Sequence, residues 1–227
     1  MKLLIAVKSC QHHRERGDHQ VIRDTWGKDV TGADLRFFVG LTGPTIAAPY
    51  DDEEVVDCKD DYDSLPYKTR EILRWSLSEG YDYDYTFLCD TDTYVIPDKL
   101  MKSGFEQFDY AGMNSRPATE TFSYNALDRW KKDHYIEKCW PWMSGGFGYF
   151  VSKKAARIIV EHEPNIWAED LWVGQVLWPL SITDDIRICG TKSFMTGRTL
   201  HFPQGQYDSQ YDPKFGWMEK MHERKGR

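Results

Sequence analysis

The sequence predicts an α/β domain in which a mostly parallel sheet is flanked by helices, and two observations lead to this prediction. Short apolar runs that suit buried strands alternate with segments of helical periodicity. Polar or acidic residues follow several of these runs, as at the carboxyl ends of parallel strands, where open α/β sheets bind ligands. Residues 1–227 are expected to form one domain, either whole or cut from a longer chain, because no repeat, low-complexity tract or linker divides them.

The first half of the chain supplies most of the predicted parallel strands. Strands are expected at 3–7, 35–40, 55–58 and 85–90, and helices at 21–26, between 64 and 78, and from Pro97 onward. Gly27 and Gly80 are expected to end the first two helices. The polar run 9–18 is expected to be a loop at the carboxyl end of the first strand.

The second half is expected to complete the sheet and to add two helices. Strands are predicted at 108–112 and 149–151, with a charged excursion at 115–138 and a glycine-rich turn between them. Ser152 is expected to cap a helix, and Glu169 with Asp170 to begin another. The tail after Gly205 has weak periodicity, so it is expected either to order on binding or to stay unordered.

The composition restricts the class of protein. A net charge of -7 gives no broad basic surface for nucleic acid. The five cysteines are scattered without a Cys-x-x-Cys pair, which indicates neither a disulfide framework nor a zinc site and favours a reducing compartment. No segment reaches the roughly 20 apolar residues of a transmembrane helix, and the first residues lack a signal-peptide cleavage site. A soluble cytoplasmic protein is therefore expected.

Asp90 and Asp92 are the central candidate site. They follow an apolar run and are separated by one residue, so both side chains are expected to point the same way from an extended backbone or to lie in the turn that ends the strand. Neighbouring carboxylates repel each other, so a cation is expected beside them, and hard oxygen ligands suit Mg²⁺ or Mn²⁺ bound to substrate phosphates. An isolated Asp-x-Asp is more often a solvated strand end, so this interpretation depends on the rest of the chain.

Five motifs that occur in one order resemble those of the β-1,3-galactosyltransferase and Fringe family of glycosyltransferases. They are Arg16 with Ile22-Arg23-Asp24-Thr25-Trp26, Asp61-Tyr62-Asp63-Ser64-Leu65-Pro66-Tyr67-Lys68-Thr69, Asp90-Thr91-Asp92, Trp142-Met143-Ser144-Gly145-Gly146-Phe147-Gly148-Tyr149, and Glu169-Asp170-Leu171 with Gly174. Ordered motifs together are far more specific than any one of them. The sequence departs from the family pattern at Thr91, where members carry an acid, and at Cys89, near which many carry a lysine. No amino-terminal membrane anchor or stem is expected either, which counts against a Golgi location.

The resemblance implies a fold, an activity and ligands. The expected fold is a GT-A-type single domain with a mostly parallel central sheet. The expected activity is inverting transfer of a hexose, with galactose favoured, from a UDP-sugar to a glycan hydroxyl to form a β-linkage, and it requires Mn²⁺ or Mg²⁺. The expected partners are a nucleotide-sugar donor and a glycan acceptor, with neither a membrane span nor nucleic acid involved.

The resemblance also assigns roles to residues. Asp170 is the expected catalytic base, and apolar neighbours would raise its pKa toward the working range. Asp92 is expected to bind the metal, with Asp90 on the ribose or on a metal-bound water. His201 is either a further metal ligand or a packed histidine after a strand. The residues expected to contact the nucleotide sugar or its ion are Arg16, Arg23, Asp61, Lys68, Asp90, Thr91, Asp92, Gly145, Gly146 and Glu169.

These assignments have simpler alternatives. The acidic pair before the last apolar helix also suits a helix N-terminus, where acids favour the positive end of the dipole. Any single arginine or lysine here is more often part of a surface ion pair, and Gly145 with Gly146 also suits an ordinary tight turn. Trp140, Trp142 and Trp172 are either core residues, as most aromatics are, or platforms for acceptor sugars.

Two other functions are compatible with the motifs. A glycosyltransferase of this kind can act on a modified nucleic-acid base, although the acidic net charge counts against that substrate. The chain can also be a non-catalytic carbohydrate-binding relative. The joint presence of Asp90, Asp92 and Asp170 argues against such a loss of catalysis.

Overall fold

A seven-stranded sheet forms the centre of the molecule. The computed structural model describes residues 1–41, 50–115, 122–125, 135–191, 193–201 and 213–226. In chain order the strands in these residues are β1 (Leu3–Lys8), β2 (Asp34–Leu41), β3 (Glu53–Lys59), β4 (Tyr85–Asp90), β5 (Thr93–Val95), β6 (Tyr110–Gly112), β7 (Phe122–Asn125), β8 (Tyr135–Cys139), β9 (Tyr149–Ser152), β10 (Ile188–Gly190) and β11 (Thr199–His201). The central sheet has the order β10-β6-β9-β4-β1-β2-β3.

The predicted mostly parallel sheet is confirmed, with one exception. Neighbouring strands in the sheet run parallel apart from β9, which is antiparallel to both β4 and β6. The other strands form two small antiparallel pairs, β5 with β11 and β7 with β8. The predicted excursion at 115–138 therefore contains a hairpin, and its residues at 116–121 and 126–134 lie outside the described ones.

The inner strand β1 places the site. All six of its residues are buried, as its continuous apolar run predicts for a strand covered on both faces. It pairs in parallel with β2 on one side and β4 on the other. The register sets Lys8 level with Asp90, so the polar ends of β1 and β4 lie side by side at one edge of the sheet.

Helices cover both faces of the sheet. They are α1 (Gln11–Glu15), α2 (Asp18–Asp24), α3 (Leu65–Leu77), α4 (Pro97–Met101), α5 (Lys153–Glu161), α6 (Glu169–Leu177) and α7 (Pro213–Arg224). On one face α3, α5 and α6 pack against a core that includes Leu4 and Leu88. On the other face α2, α4 and α7 pack against a core that includes Ile5 and Phe87. The alternation of inward faces along β1 and β4 thus divides the apolar core into two layers.

Helix boundaries agree with the sequence patterns in some places and differ in others. The helix predicted at 21–26 is α2 over Asp18–Asp24, and Gly27 does not end it but lies in a 3-10 helix over Trp26–Asp29. The expected cap forms at Ser152, whose hydroxyl accepts a hydrogen bond from the N–H of Ala155 at 3.2 Å. The expected loop 9–18 contains the short helix α1, because five residues are too few for a periodic signal. The tail contains α7, anchored by the buried side chains of Met218 and His222, while residues 202–212 lie outside the described ranges.

Two global features accompany this fold. All five cysteines are free thiols in this structure. Within the described ranges, no helix is both long enough and apolar enough to span a membrane.

Candidate active site

A cavity of about 560 Å³ lies where β1 and β4 end and α6 begins. The predicted site residues that line it are Asp61, Lys68, Asp90, Thr91, Asp92, Gly145, Gly146, Glu169 and Asp170. Residues that are far apart along the chain therefore meet in one hollow. Their roles in binding or catalysis stay predictions.

Asp170 is half-buried at the N-terminal end of α6. Its Oδ2 accepts a hydrogen bond from the N–H of Gly145 at 3.0 Å, and its Oδ1 accepts one from the N–H of Leu171 at 2.8 Å. Burial raises the pKa of Asp170 above its usual value, the negative charge of Glu169 adds to this, and the two backbone N–H groups and Lys8 only partly oppose it. A carboxylate with these properties is suited to accept a proton from a hydroxyl group.

Glu169 is held by the protein from three directions. Its Oε2 lies 2.7 Å from Nζ of Lys8, and its Oε1 accepts hydrogen bonds from Thr69 at 2.9 Å and from the hydroxyl of Tyr149. The residue is only 6% exposed, although it borders the cavity. These contacts fix the first turn of α6 and, with it, the neighbouring Asp170.

Lys8 is a site residue that sequence reasoning missed. It ends β1, its side chain is 1% exposed, and its Nζ lies 3.3 Å from Oδ1 of Asp90. Burial alone would lower the pKa of Lys8, but the carboxylates of Asp90 and Glu169 outweigh burial and raise it. Lys8 is therefore a charged ammonium among the acids of the cavity. A lysine directly after five apolar residues was the available signal, since such a position continues a buried strand.

The acidic motif turns between β4 and β5. Asp90 is partly exposed, with 34% of its side chain accessible, whereas Asp92 is 3% exposed. The hydroxyl of Thr91 lies 2.9 Å from Nδ1 of His13, another cavity residue that the sequence did not indicate. Thr93 donates a hydrogen bond to the carbonyl of Gly146 at 2.9 Å, and this ties the acidic turn to the glycine-rich turn.

Asp90 and Asp92 carry oxygen donors of the kind that Mg²⁺ and Mn²⁺ prefer. Among the described residues, no group of three or more His, Cys, Asp or Glu side chains is arranged to hold a metal ion. A cation here would take its other ligands from water or from a phosphate, which is the usual mode for Mg²⁺, and a pair of carboxylates fits that mode. The backbone of His201 pairs with that of Thr93, next to the motif, and its side chain lies outside what the structure describes.

A further wall comes from the first turn of α3 and the residues before it. Nζ of Lys68 lies 2.5 Å from Oδ1 of Asp60 and also donates to the carbonyl of Ser9, so this lysine is committed to the wall itself. Asp61 accepts a hydrogen bond from the N–H of Ser64 at 2.8 Å and begins the turn that leads into α3. Asp60 and Ser9 were not among the predicted site residues.

The glycine-rich turn approaches the acids closely. A Cβ atom on Gly145 would lie 3.3 Å from Oε2 of Glu169 and 3.5 Å from Nζ of Lys8. The turn is a 3-10 helix over Gly145–Phe147. Glycine here lets the backbone N–H reach Asp170 without displacing the Lys8–Glu169 pair.

Two of the predicted contact residues do not line the cavity. Arg16 forms an ion pair with Asp18, and Arg23 contacts both Asp52 and Glu53. Both arginines are therefore engaged with carboxylates of the protein. The simpler alternative of an ion pair describes them better than a direct contact with a ligand in this cavity.

The three tryptophan candidates for a sugar platform differ in how deeply they are buried. Trp172 is 1% exposed and lies in the core, which excludes it as a sugar platform. Trp140 and Trp142 are half-buried and pack against that core. Trp167, which was not among these candidates, lines the cavity.

Comparisons with known proteins extend these observations. A sequence model of the family described as galactosyltransferase matches residues 18–186. Beta-1,3-galactosyltransferase 1 of Mus musculus is 25% identical over 193 residues, which cover 75% of this chain and 58% of that protein. Beta-1,3-galactosyltransferase bre-2 of Caenorhabditis elegans is 26% identical over 183 residues, which cover 70% of this chain and 50% of that protein.

A third relative matches a shorter part of the chain. The probable beta-1,3-galactosyltransferase 13 of Arabidopsis thaliana is 29% identical over 105 residues, which cover 38% of this chain and 30% of that protein. The chain thus spans between 30% and 58% of the length of these curated relatives.

A glycosyltransferase involved in the glycosylation of the major capsid of PBCV-1 superposes with a TM-score of 0.53 at 12% identity, over 96% of this chain and 99% of that chain. This likeness confirms the predicted GT-A-type fold. The galactosyltransferase model matches most of the sequence and includes four of the five ordered motifs entirely, from Asp61 to Gly174. The chain therefore belongs to the galactosyltransferase family.

Proposed function

We propose that the chain is an inverting, metal-dependent hexosyltransferase that moves galactose from a UDP-sugar to a glycan hydroxyl and forms a β-linkage. The observation that carries this proposal is the meeting of Asp170 with Asp90 and Asp92 around one cavity. Family membership supports transfer of galactose. Inverting transfer needs a base on one side of the anomeric carbon and support for the leaving diphosphate on the other.

Asp170 is the base in this proposal. It takes the proton of the acceptor hydroxyl while the hydroxyl oxygen attacks the anomeric carbon and the bond from that carbon to the diphosphate breaks. The two backbone N–H groups that hold its oxygens fix the direction of the carboxylate. Its raised pKa makes it a better proton acceptor than an exposed aspartate.

Asp90 and Asp92 hold the divalent cation in this proposal, with His201 as a candidate third ligand. A bound Mn²⁺ or Mg²⁺ would offset the negative charge that develops on the diphosphate oxygens. Lys8 balances the carboxylates of Asp90 and Glu169 and so lowers the repulsion in a cavity crowded with acids. Thr91 keeps the middle position of the motif uncharged and contacts His13.

The remaining walls would receive the donor. Gly145 and Gly146 bring backbone close to the reacting carbon, and Asp61 with Lys68 borders the nucleotide. The half-buried Trp167 offers an aromatic surface beside Asp170, where the acceptor sugar must arrive.

The test is a transfer assay with the purified chain. UDP-galactose, UDP-N-acetylglucosamine and UDP-glucose are each incubated with Mn²⁺ and a panel of glycan acceptors, and UDP release is measured. We expect acceptor-dependent release that is greatest with UDP-galactose and a β-configured product by NMR. An α-configured product would contradict inversion, undiminished turnover in a chelator would contradict the metal, and failure to bind any UDP-sugar would overturn the whole proposal.

A further inference from the structure

Ser9, His19 and Glu53 are joined by buried hydrogen bonds that end at the cavity, and these three residues are called the relay below. Oγ of Ser9 lies 2.6 Å from Nε2 of His19, and Nδ1 of the same ring lies 2.8 Å from Oε1 of Glu53. The three residues are 4%, 1% and 3% exposed, and Ser9 lines the cavity. The imidazole is held flat against Phe37, with ring centroids 4.3 Å apart. The relay thus links the interior of the protein to one wall of the cavity.

The far end of the relay is fixed as an anion. Glu53 is contacted by Arg14 at 2.7 Å and by Arg23 at 2.8 Å, and it accepts a hydrogen bond from the N–H of Tyr50. Although burial acts to raise the pKa of Glu53, its hydrogen bonds lower that pKa to about 2. Arg23 of the first motif therefore stabilises the negative charge of Glu53.

An ionised Glu53 sets the direction of every hydrogen bond in the relay. A carboxylate can only accept, so Nδ1 of His19 must carry the proton that it shares with Glu53. Burial lowers the pKa of His19, outweighing the contact with Glu53, so the ring is neutral and Nε2 is an acceptor. The hydroxyl of Ser9 then donates its hydrogen to Nε2 at 2.6 Å in preference to the carbonyl oxygen of Cys10 at 3.4 Å, and its oxygen keeps lone pairs that can accept a hydrogen bond.

The same three residue types form the catalytic triads of hydrolases, but the surroundings differ here. A nucleophilic serine needs nearby backbone N–H groups to stabilise an oxyanion. The N–H of Ser9 is bonded to the carbonyl of Phe38 at 2.9 Å, and the N–H of Gln11 is bonded to Oδ2 of Asp60 at 2.5 Å. These donors are already used, which favours a role in recognition over one in nucleophilic attack.

We propose that Ser9 is a specificity-determining residue whose oxygen accepts a hydrogen bond from the nucleoside part of the donor, and that His19 and Glu53 impose this acceptor role. This inference rests on the proposed function, since it assumes a nucleotide in the cavity. The matching donor on the ligand is either the imide N–H of uracil or the 2′-hydroxyl of the ribose. A base that presents a ring nitrogen as an acceptor at that position, as cytosine does, would meet lone pairs instead of a hydrogen and be rejected.

The first experiment measures the imidazole nitrogen chemical shifts of His19 in the protein without ligand. We expect a neutral ring with the proton on Nδ1 near neutral pH. A ring protonated on Nε2, or on both nitrogens, would overturn the relay whatever the cavity binds.

The second experiment measures binding of UDP, CDP and 2′-deoxyuridine diphosphate by calorimetry in the presence of Mn²⁺. Ser9→Ala should weaken UDP about three- to tenfold, the usual effect of one lost neutral hydrogen bond, and leave unchanged the analogue that already lacks the matching donor. CDP as the unchanged analogue identifies the base, and the deoxy compound identifies the ribose. Ser76→Ala is the matched control, because Ser76 is buried and its hydroxyl donates a hydrogen bond within α3, to the carbonyl of Leu73 at 2.8 Å.

Glu53→Gln tests the relay without removing the serine. An amide can present either its oxygen or its N–H₂ group to His19, so the ring is free to adopt both tautomers and Ser9 can donate as well as accept. We expect the preference of the folded variant for UDP over the insensitive analogue to fall by a factor similar to that of Ser9→Ala.

Four results would count against the inference. They are an unchanged UDP affinity in Ser9→Ala, an equal loss for all three nucleotides, an unchanged preference in Glu53→Gln, and covalent labelling of Ser9 by a fluorophosphonate, which would show a nucleophile. If the unaltered protein binds none of the nucleotides, both the proposed function and the contact between Ser9 and a nucleoside are overturned. The tautomer measurement still decides the relay separately.

Discussion

Nζ of Lys8 lies 2.7 Å from Oε2 of Glu169, so the last residue of β1 is joined to the first residue of α6. The same ammonium lies 3.3 Å from Oδ1 of Asp90 at the end of β4. The contact with Glu169 is made inside the protein, where water screens charges poorly, whereas Asp90 is partly exposed. One lysine therefore holds together the acidic turn and the helix that presents Asp170.

Replacing Lys8 with methionine should destabilise the protein strongly. The change keeps much of the side-chain volume and leaves the buried carboxylate of Glu169 without its cation, which typically costs about 3–5 kcal/mol. Urea unfolding of Lys8→Met, Glu169→Gln and the double variant measures the interaction between the two residues. We expect a coupling energy of about 1–3 kcal/mol.

The control for that cycle is the surface pair Glu71 and Arg74 on α3. Its coupling should be about 0.5 kcal/mol or less, because exposed helix pairs contribute little. Equal coupling energies in the two cycles would contradict the special role of Lys8.

The pKa of Lys8 is raised, so the stabilisation that its charge provides is fully present below the usual lysine pKa and is lost only as pH rises beyond that range. The coupling measured at mildly acidic and neutral pH should therefore be the same.

Asp170→Asn should separate binding from transfer. The amide keeps the shape of the carboxylate but accepts a proton poorly, so turnover should fall about 10²–10⁴-fold while the affinity for UDP stays within about twofold. UDP release and calorimetry measure the two quantities. Asp184→Asn, at an exposed position in the loop before β10, is the matched control and should leave both unchanged. Unaltered turnover in Asp170→Asn would remove this residue as the base.

The pH dependence of turnover follows from the raised pKa of Asp170. The base must be ionised to accept a proton, so turnover should fall as pH decreases through that raised pKa, which lies above the ordinary aspartate value of about 4. Binding of UDP, measured over the same range, should stay constant through this limb, because Asp170 does not hold the nucleotide in our proposal. An acid limb at or below the ordinary value would contradict the environment described for this carboxylate.

Strand and helix types were predictable wherever periodicity decides them. The apolar run of β1, the acidic end of β4 and the cap at Ser152 are local features, and each was found where expected. The direction of β9 was not predictable, because a strand that follows a long excursion can enter a sheet either way. Local pattern carries no information about that choice.

The partners of charged residues were less predictable than the elements. Lys8 and Glu169 are 161 residues apart in sequence, and Arg23 finds Asp52 and Glu53 at separations of 29 and 30. Nothing local shows that these charges meet. Motif order correctly placed Asp90, Asp92 and Asp170 around one cavity, but it also suggested ligand contacts for Arg23, which the fold uses to hold Glu53.

Asp92→Ala should remove the effect of metal on nucleotide binding. Without one of the two carboxylates the cation would bind much more weakly, so Mn²⁺ should no longer strengthen UDP binding. We expect the affinity for UDP in the presence of Mn²⁺ to fall about tenfold or more. Calorimetry of UDP with Mn²⁺ and with a chelator measures this effect in the unaltered protein and in the variant. Asp185→Ala, exposed before β10, is the control and should keep the metal effect. Equal UDP affinity with and without Mn²⁺ in the unaltered protein would contradict a metal site.

Gly174 and Gly216 offer a matched pair of helix glycines with opposite expected effects. A Cβ atom on Gly174 in α6 would lie 2.5 Å from Cβ of Trp142 and 2.7 Å from the carbonyl oxygen of Pro141, so alanine there must push away the backbone that leads into the glycine-rich turn. We expect Gly174→Ala to lower the free energy of unfolding by about 1–3 kcal/mol. At Gly216 in α7 nothing lies within 4 Å of such a Cβ atom, so Gly216→Ala should raise it by up to about 1 kcal/mol through helix propensity alone. Urea unfolding measures both, and a Gly174→Ala variant at least as stable as the unaltered protein would show that close packing of α6 against Trp142 does not explain the glycine.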